Sequence, residues 1–156
     1  MKDTRTLLST AAGVVDVSSP IVVGVVNATP DSFSDTGDRS TAGAIRTVHS
    51  HLEDGARIIE VGGESNVTNR PAVSAAEEIS RVTPVVEAAV AAGATVSIDT
   101  YKPEVAEAAL SAGAAIVNDI RGSDRRGLLA VRARHGAAMV VLHTEVAPKP
   151  PRWDEA

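Results

Sequence analysis

Five short runs of β-branched residues, each but the last followed by an amphipathic helical pattern, constrain this chain more than anything else in it. The runs are Ile21–Val26 (IVVGVV), Arg57–Val61 (RIIEV), Thr95–Asp99 (TVSID), Ala115–Asn118 (AIVN) and Ala138–His143 (AMVVLH). They are continuous rather than alternating, the pattern of parallel strands covered on both faces. Between them, Thr41–Asp54 places Ile45, Val48 and Leu52 on one helical face, and Gly55 stops it. Ser74 and Glu77 form a capping box for a second helix, whose apolar stripe is Ile79, Val82, Val86 and Val90 and whose end is Gly93. Pro84 falls inside that pattern and is expected to kink or split the helix. Pro103 suits the first turn of a third helix ending at Gly113, and Ser123 or Asp124 suits the cap of a fourth ending at Gly136.

Strict β-α alternation of this kind means a parallel sheet with right-handed crossovers. Two architectures satisfy it: a doubly wound open sheet, or a (β/α)8 barrel of which the chain carries five strands. A complete barrel takes roughly 250 residues, and there are 156 here.

Composition narrows the function classes. Apolar residues make up 44%, enough for a core, but the only aromatics are Phe33, Tyr101 and Trp153, so Val, Ile, Leu and Ala must fill it. The formal net charge is −5 and the basic residues do not cluster, so nucleic acid is not an expected partner. There is no cysteine, hence no disulfide framework and no thiolate metal site. No stretch approaches the ~18 apolar residues of a membrane span. Ser9, Thr10 and Asp16 interrupt Leu7–Val17, so it does not read as a signal peptide. A soluble cytoplasmic protein without a membrane partner is the expectation. Residues 1–20 form an N-terminal extension in which Val14–Val17 is expected as a short strand closing one end of the sheet. Residues 21–143 form the α/β unit, and residues 144–156 a Pro-rich loop and the start of a further helix.

In parallel α/β folds ligands bind at the carboxyl ends of the strands, and there the polar residues collect. The first run leads into Asn27, Asp31 and Asp35, and the second into Gly62, Gly63, Glu64, Thr68 and Arg70. The third ends in Asp99, the fourth in Asn118-Asp119, and the fifth in His143. The opposite ends carry the turn glycines Gly55, Gly93, Gly113 and Gly136. Taken alone, Asp99 reads as well as a helix cap as a ligand contact, and Asn118 as well as a residue that satisfies loop backbone. Together on adjacent strand ends they favour a shared ligand, because a carboxylate beside an amide can read the edge of a heterocycle. Asp31 and Asp35 read as solvating a loop rather than binding metal, and His143 as a strand-end hydrogen-bonding residue rather than a catalyst. Gly62-Gly63 lets backbone approach a ligand closely. Neither a GxGxxG fingerprint nor a P-loop sequence is present.

The stretches VVGVVNATPDSFSD, IIEVGGES, VSIDT, IVNDI and LHT, in unbroken order from about Ile21 to His143, resemble the dihydropteroate synthase signature segments. The resemblance implies a pterin-binding (β/α)8 barrel, of which the chain covers about strands 1 to 5. It implies a transferase that joins p-aminobenzoate to dihydropterin-CH2-diphosphate with release of diphosphate, in folate biosynthesis. By the same resemblance Asn27 matches the asparagine that meets Mg2+ and the diphosphate, and Asp99 and Asn118 match residues holding the pterin edge. Asp31 falls in the first loop, which in the family closes over the reacting groups. Asn27, Asp31 and Asp99 are thus the expected catalytic residues. Asp99, Asn118, Gly62, Gly63, Thr68 and Arg70 are the expected substrate contacts.

Two departures stand against the pattern. The family's Gly-Glu-Ser is usually followed by Thr-Arg-Pro-Gly, whereas Asn66 and Val67 occupy the Thr and Arg positions here, so Thr68 and Arg70 could serve only by another loop path. Glu60 stands where the family has Asp. The family's later Asp, Lys, Arg and His motifs lie on strands that this chain does not contain. The alternative expectation is therefore a non-catalytic pterin-binding relative, or a half-barrel subunit. In either case a homo-oligomer or a C-terminal half from elsewhere is the expected partner.

Overall fold

The computed structural model describes residues 5–29, 40–65, 72–119 and 126–142. An antiparallel hairpin comes first, β1 (Leu7–Thr10) with β2 (Gly13–Asp16), turned at Gly13, whose φ of 124° favours glycine. Then follow β3 (Val23–Asn27), α1 (Thr41–Glu53), β4 (Ile58–Gly62), α2 (Ala75–Ala91), β5 (Thr95–Asp99), α3 (Pro103–Ser111), β6 (Ile116–Asp119), α4 (Arg126–His135) and β7 (Ala138–Val141).

The strands β3 to β7 form one parallel sheet in sequential order. A doubly wound sheet reverses its strand order at a switch point. Sequential order with right-handed crossovers instead puts every helix on one face, as in a barrel wall. The core agrees: Val48 of α1, Val82 and Val86 of α2, Val105 and Ala109 of α3 and Leu128 of α4 pack in one cluster with Val26, Ile59, Val61, Val96, Ile98 and Val117 of the sheet. Among the described residues the wall is open, with β3 and β7 at its edges. The fold is an incomplete (β/α)8-type barrel.

The openness corrects one expectation. The central strands are covered on both faces, but β3 is not: Val23 is 42% and Val25 51% exposed, alternating with buried Gly24 and Val26. On β7, Val140 and Val141 are similarly open. Their side chains run along the inner face and the edge, where none of the described elements lies against them. At the amino end of the sheet, Leu8 of the hairpin and Ile21 pack on Ile58, Ile116 and Ala138 and cover the inner face there.

Pro84 does not split α2, which runs unbroken over 17 residues. The lost backbone hydrogen bond is outweighed by packing, since Val82, Val85, Val86 and Ala89 around it are fully buried. The buried stripe is also rotated from the expected one. It includes Glu78, while Ile79 and Val90 are only partly covered. Ser74 caps as expected, accepting from the Glu77 N–H at 3.2 Å, but the Glu77 carboxylate turns to Arg81. The expected caps Ser123 and Asp124, the residue His143 and the segment 144–156 lie outside the described residues. Among the described residues no helix is long and apolar enough to cross a membrane.

Candidate functional site

Parallel register decides which strand-end residues meet. Asn27 pairs with Gly62, Gly62 with Asp99, Asp99 with Asn118, and Asn118 with Val140. Residues in register on neighbouring strands share a face and lie about 4.8 Å apart. Asn27, Asp99 and Asn118 thus project from one transverse row on the inner face, at the carboxyl end of the sheet. Gly62 interrupts the row of side chains between Asn27 and Asp99. A Cβ placed there would lie 3.8 Å from Asp99 Oδ2 and 3.9 Å from Asn27 Oδ1. Two oxygen-bearing side chains therefore flank one glycine, with room between them that only a missing side chain leaves. Gly63 has a different duty: a Cβ on it would come within 2.6 Å of Val82 Cγ1 and 2.8 Å of Glu78 Cγ, so it lets α2 approach β4.

Below this row lies a second, Val25, Glu60, Ser97 and Ile116. The Glu60 carboxylate reaches up from it and accepts a hydrogen bond from Asn118 Nδ2 at 3.1 Å. Burial pushes the Glu60 carboxyl above its ordinary value, against the opposing pull of the Asn118 amide and the Ser97 hydroxyl. A carboxylate that accepts from an amide donor inside a barrel mouth is a polar group already committed to a neighbour.

A third group, which sequence reasoning missed, lies where the β4–α2 connection leaves and returns. Lys102 Nζ donates to Glu64 Oε2, to Glu78 Oε2, and at 2.7 Å to the carbonyl of Val73. Glu64 also accepts from the Val73 N–H at 3.2 Å and from the Tyr101 hydroxyl at 3.2 Å, and Glu78 accepts from Thr100 Oγ1 at 2.9 Å. The Lys102 ammonium lies 5.0 Å from the centre of the Tyr101 ring. Burial pulls the Lys102 pKa down, but the hydrogen bonds and charges of Glu64 and Glu78 outweigh it, and the value is raised. The cluster ties Glu64 to Val73 and so fixes both ends of the segment between them. A signal existed: Glu78 is in phase with Val82, Val85 and Ala89, a carboxylate on the buried stripe of a helix. A second was Lys102 at the N-cap of α3, where its own side chain makes no cap hydrogen bond.

Of the expected site residues, Asn27, Asp99, Asn118 and Gly62 come together, and Gly63 lies behind them against α2. Asp31, Thr68 and Arg70 lie outside the described residues. Among the described residues no three His, Cys, Asp or Glu side chains gather as metal ligands. Mg2+ does not require such a cage. It keeps several waters and takes one or two protein oxygens plus substrate phosphates, and the Asn27 amide oxygen beside the Gly62 gap fits that requirement.

The family model described as Pterin binding enzyme matches residues 23–155. Dihydropteroate synthase of Escherichia coli (strain K12) is 41% identical over 147 residues, covering 90% of this chain and 52% of the relative. Among solved structures, Xanthomonas albilineans dihydropteroate synthase with 4-aminobenzoic acid superposes with a TM-score of 0.83 at 38% identity, over 91% of this chain and 53% of that one. Burkholderia cenocepacia dihydropteroate synthase complexed with 7,8-dihydropteroate gives 0.80 at 33% identity, over 92% and 48%. The chain spans about half the length of the curated relatives it matches.

Proposed function

The chain belongs to the pterin-binding enzyme family, and from that premise we propose that it carries the amino-terminal half of a dihydropteroate synthase site. The observation that carries the reading is the row Asn27, Gly62, Asp99 and Asn118 in continuous register at the carboxyl end of a parallel sheet. A pterin offers ring N–H and NH2 donors along one edge. The Asp99 carboxylate accepts from that edge, and the Asn118 amide can both accept and donate beside it.

In the reaction, the amine nitrogen of p-aminobenzoate forms a bond to the pterin methylene carbon. The bond from that carbon to the diphosphate oxygen breaks, and the amine loses a proton. Charge separates as the diphosphate leaves, so the site must stabilise it and exclude water. Asp99 holds a carboxylate against the pterin as that positive charge develops. Asn27 would hold Mg2+ through its amide oxygen, and the ion would offset charge on the leaving group. Asp31, in the first loop, and Thr68 and Arg70, in the second, are the proposed contacts to the reacting groups and the second substrate. The proposed setting is the cytoplasm.

The open edges at β3 and β7, with Val23, Val25 and Val140 exposed on the inner face, support a barrel completed by further strands, either a carboxyl-terminal half or another copy. A second reading, a pterin binder without synthase activity, draws on Asn66 and Val67 in place of the family's Thr and Arg. Titration of pterin into the completed protein and its Asp99→Asn variant tests the first reading. A charge-assisted hydrogen bond contributes about 1.5–3 kcal/mol, so affinity should fall by roughly tenfold to a hundredfold. Unchanged affinity with the fold intact removes Asp99 from the site. Dihydropteroate formation by the same protein separates synthase from binder.

A further inference from the structure

Glu60 and Asn118 belong to different strands, with β5 between them. Glu60 pairs with Ser97 and Ser97 with Ile116, and Asn118 stands two residues beyond Ile116. The bond between them therefore crosses two strand spacings, about 10 Å, and climbs one step along the strand, about 6.5 Å. Spanning that at 3.1 Å requires both side chains to be close to full extension. It also requires a small residue on β5 beneath the crossing, and Ser97 supplies it. An aspartate at position 60 would fall short by one carbon–carbon bond, about 1.5 Å.

We propose that Glu60 is a positioning residue that sets which face of the Asn118 amide the site presents. An ionised carboxylate can only accept, so the NH2 end of Asn118 must turn toward it. Oδ1 and the second N–H are then left for a ligand held by Asp99 in the same row. Without Glu60 the amide can turn over and offer two donors in place of an acceptor and a donor. The pattern read along the ligand edge would change although neither Asp99 nor Asn118 had been altered. Protonation of Glu60 has a similar effect, since a carboxylic acid can donate to Oδ1. In register beside Glu60 stand Val25 of β3 and Ser97 of β5; one step further along the same face are Asn27 and Asp99, and Asn118 reaches it from two strands away. Asp99 is the other ionisable group among them. Burial raises the Glu60 pKa, which moves this reversal toward neutral pH.

The orienting role stands apart from ligand identity, whereas its consequence for pterin recognition rests on the proposed function. Two measurements keep them separate. Nuclear magnetic resonance of the 15N-labelled, ligand-free chain follows the Asn118 side-chain amide through a pH titration. In the wild type its shift should follow the ionisation of Glu60, with a midpoint above the ordinary glutamate value. Glu60→Gln should abolish the titration and leave the Asn118 amide as protonated Glu60 leaves it, because a glutamine amide can donate to Oδ1 as well as accept from Nδ2. Glu60→Asp should leave the Asn118 amide protons unprotected from exchange. An Asn118 amide that neither titrates with Glu60 nor responds to Glu60→Asp overturns the proposal. Pterin titration of the completed protein is the second measurement. Glu60→Gln, which no longer fixes the direction of the Asn118 amide, and Glu60→Asp, which no longer reaches it, should each bind about tenfold more weakly, the effect of one misaligned hydrogen bond. Equal binding by the folded Glu60→Asp variant also overturns it. A wild-type protein that binds no pterin sinks the proposed function, and the resonance titration still decides the role of Glu60.

Discussion

Replacing Lys102 by methionine should cost this fold more than any surface change, and the structure sets the size. The Lys102 side chain is 12% exposed, and its partners Glu64 and Glu78 are 6% and 1% exposed. Lys102→Met keeps most of the aliphatic stem but leaves two nearly buried carboxylates without their cation. Tyr101 and Thr100 still donate to them, yet neither carries charge. Breaking a buried ion pair by removing one partner typically costs about 3–5 kcal/mol, against a total stability of about 5–15 kcal/mol for a domain. With a urea dependence of roughly 2 kcal/mol per molar, the unfolding midpoint should fall by about 2 M. Urea titration followed by circular dichroism reads this directly. The triple variant Lys102→Met, Glu64→Gln, Glu78→Gln removes every charge from the cluster and should recover most of the loss, because the penalty lies in the unpaired carboxylates. Glu107→Gln, at an exposed pair with Arg134 and His135, is the control and should leave the midpoint nearly unmoved. A single variant losing less than about 1 kcal/mol, or a triple variant no better than the single, would refute the reasoning, since either result means that the carboxylates are not desolvated as the burial implies.

Glu60 gives a pH dependence with a definite sign. Its folded-state pKa is raised, so its stabilising share is full below the ordinary glutamate pKa and declines as pH rises through the raised value. Glu60→Gln should remove that decline and be the more stable protein above the window; parallel urea curves from about pH 4 to about pH 7 check it. Gly63→Ala forces a methyl against Val82 and the Glu78 backbone and should cost about 1–3 kcal/mol by overpacking. Gly62→Ala meets only ordinary contacts, so its melting temperature should stay near wild type while pterin affinity drops, as the methyl fills the space between Asn27 and Asp99. Changing Asn66-Val67 to Thr-Arg should raise affinity for p-aminobenzoate in the completed protein by calorimetry; no gain means that the second loop does not limit that substrate.

Local chemistry made much of this molecule legible in its residues. The periods of the five strands and four helices, the Ser74 cap and the stops at Gly55, Gly93 and Gly113 act over a few residues and need no partner. The positions of Asn27, Gly62, Asp99 and Asn118 at strand ends follow from the same counting. Other properties belong to pairs distant in the chain. That Asn27 and Asp99 flank Gly62 depends on parallel register, which no single strand specifies. Sequential strand order, not composition, separated the barrel wall from a doubly wound sheet. Glu78 lies off the apolar stripe Ile79, Val82, Val86 and Val90 and is buried only because α2 docks rotated, with Val85 and Ala89 beside it. Glu60 reads as an enlarged aspartate until its reach across Ser97 to Asn118 is seen. In each case the deciding energy is long-range packing or a hydrogen bond between strands, and only the folded chain brings those atoms within reach.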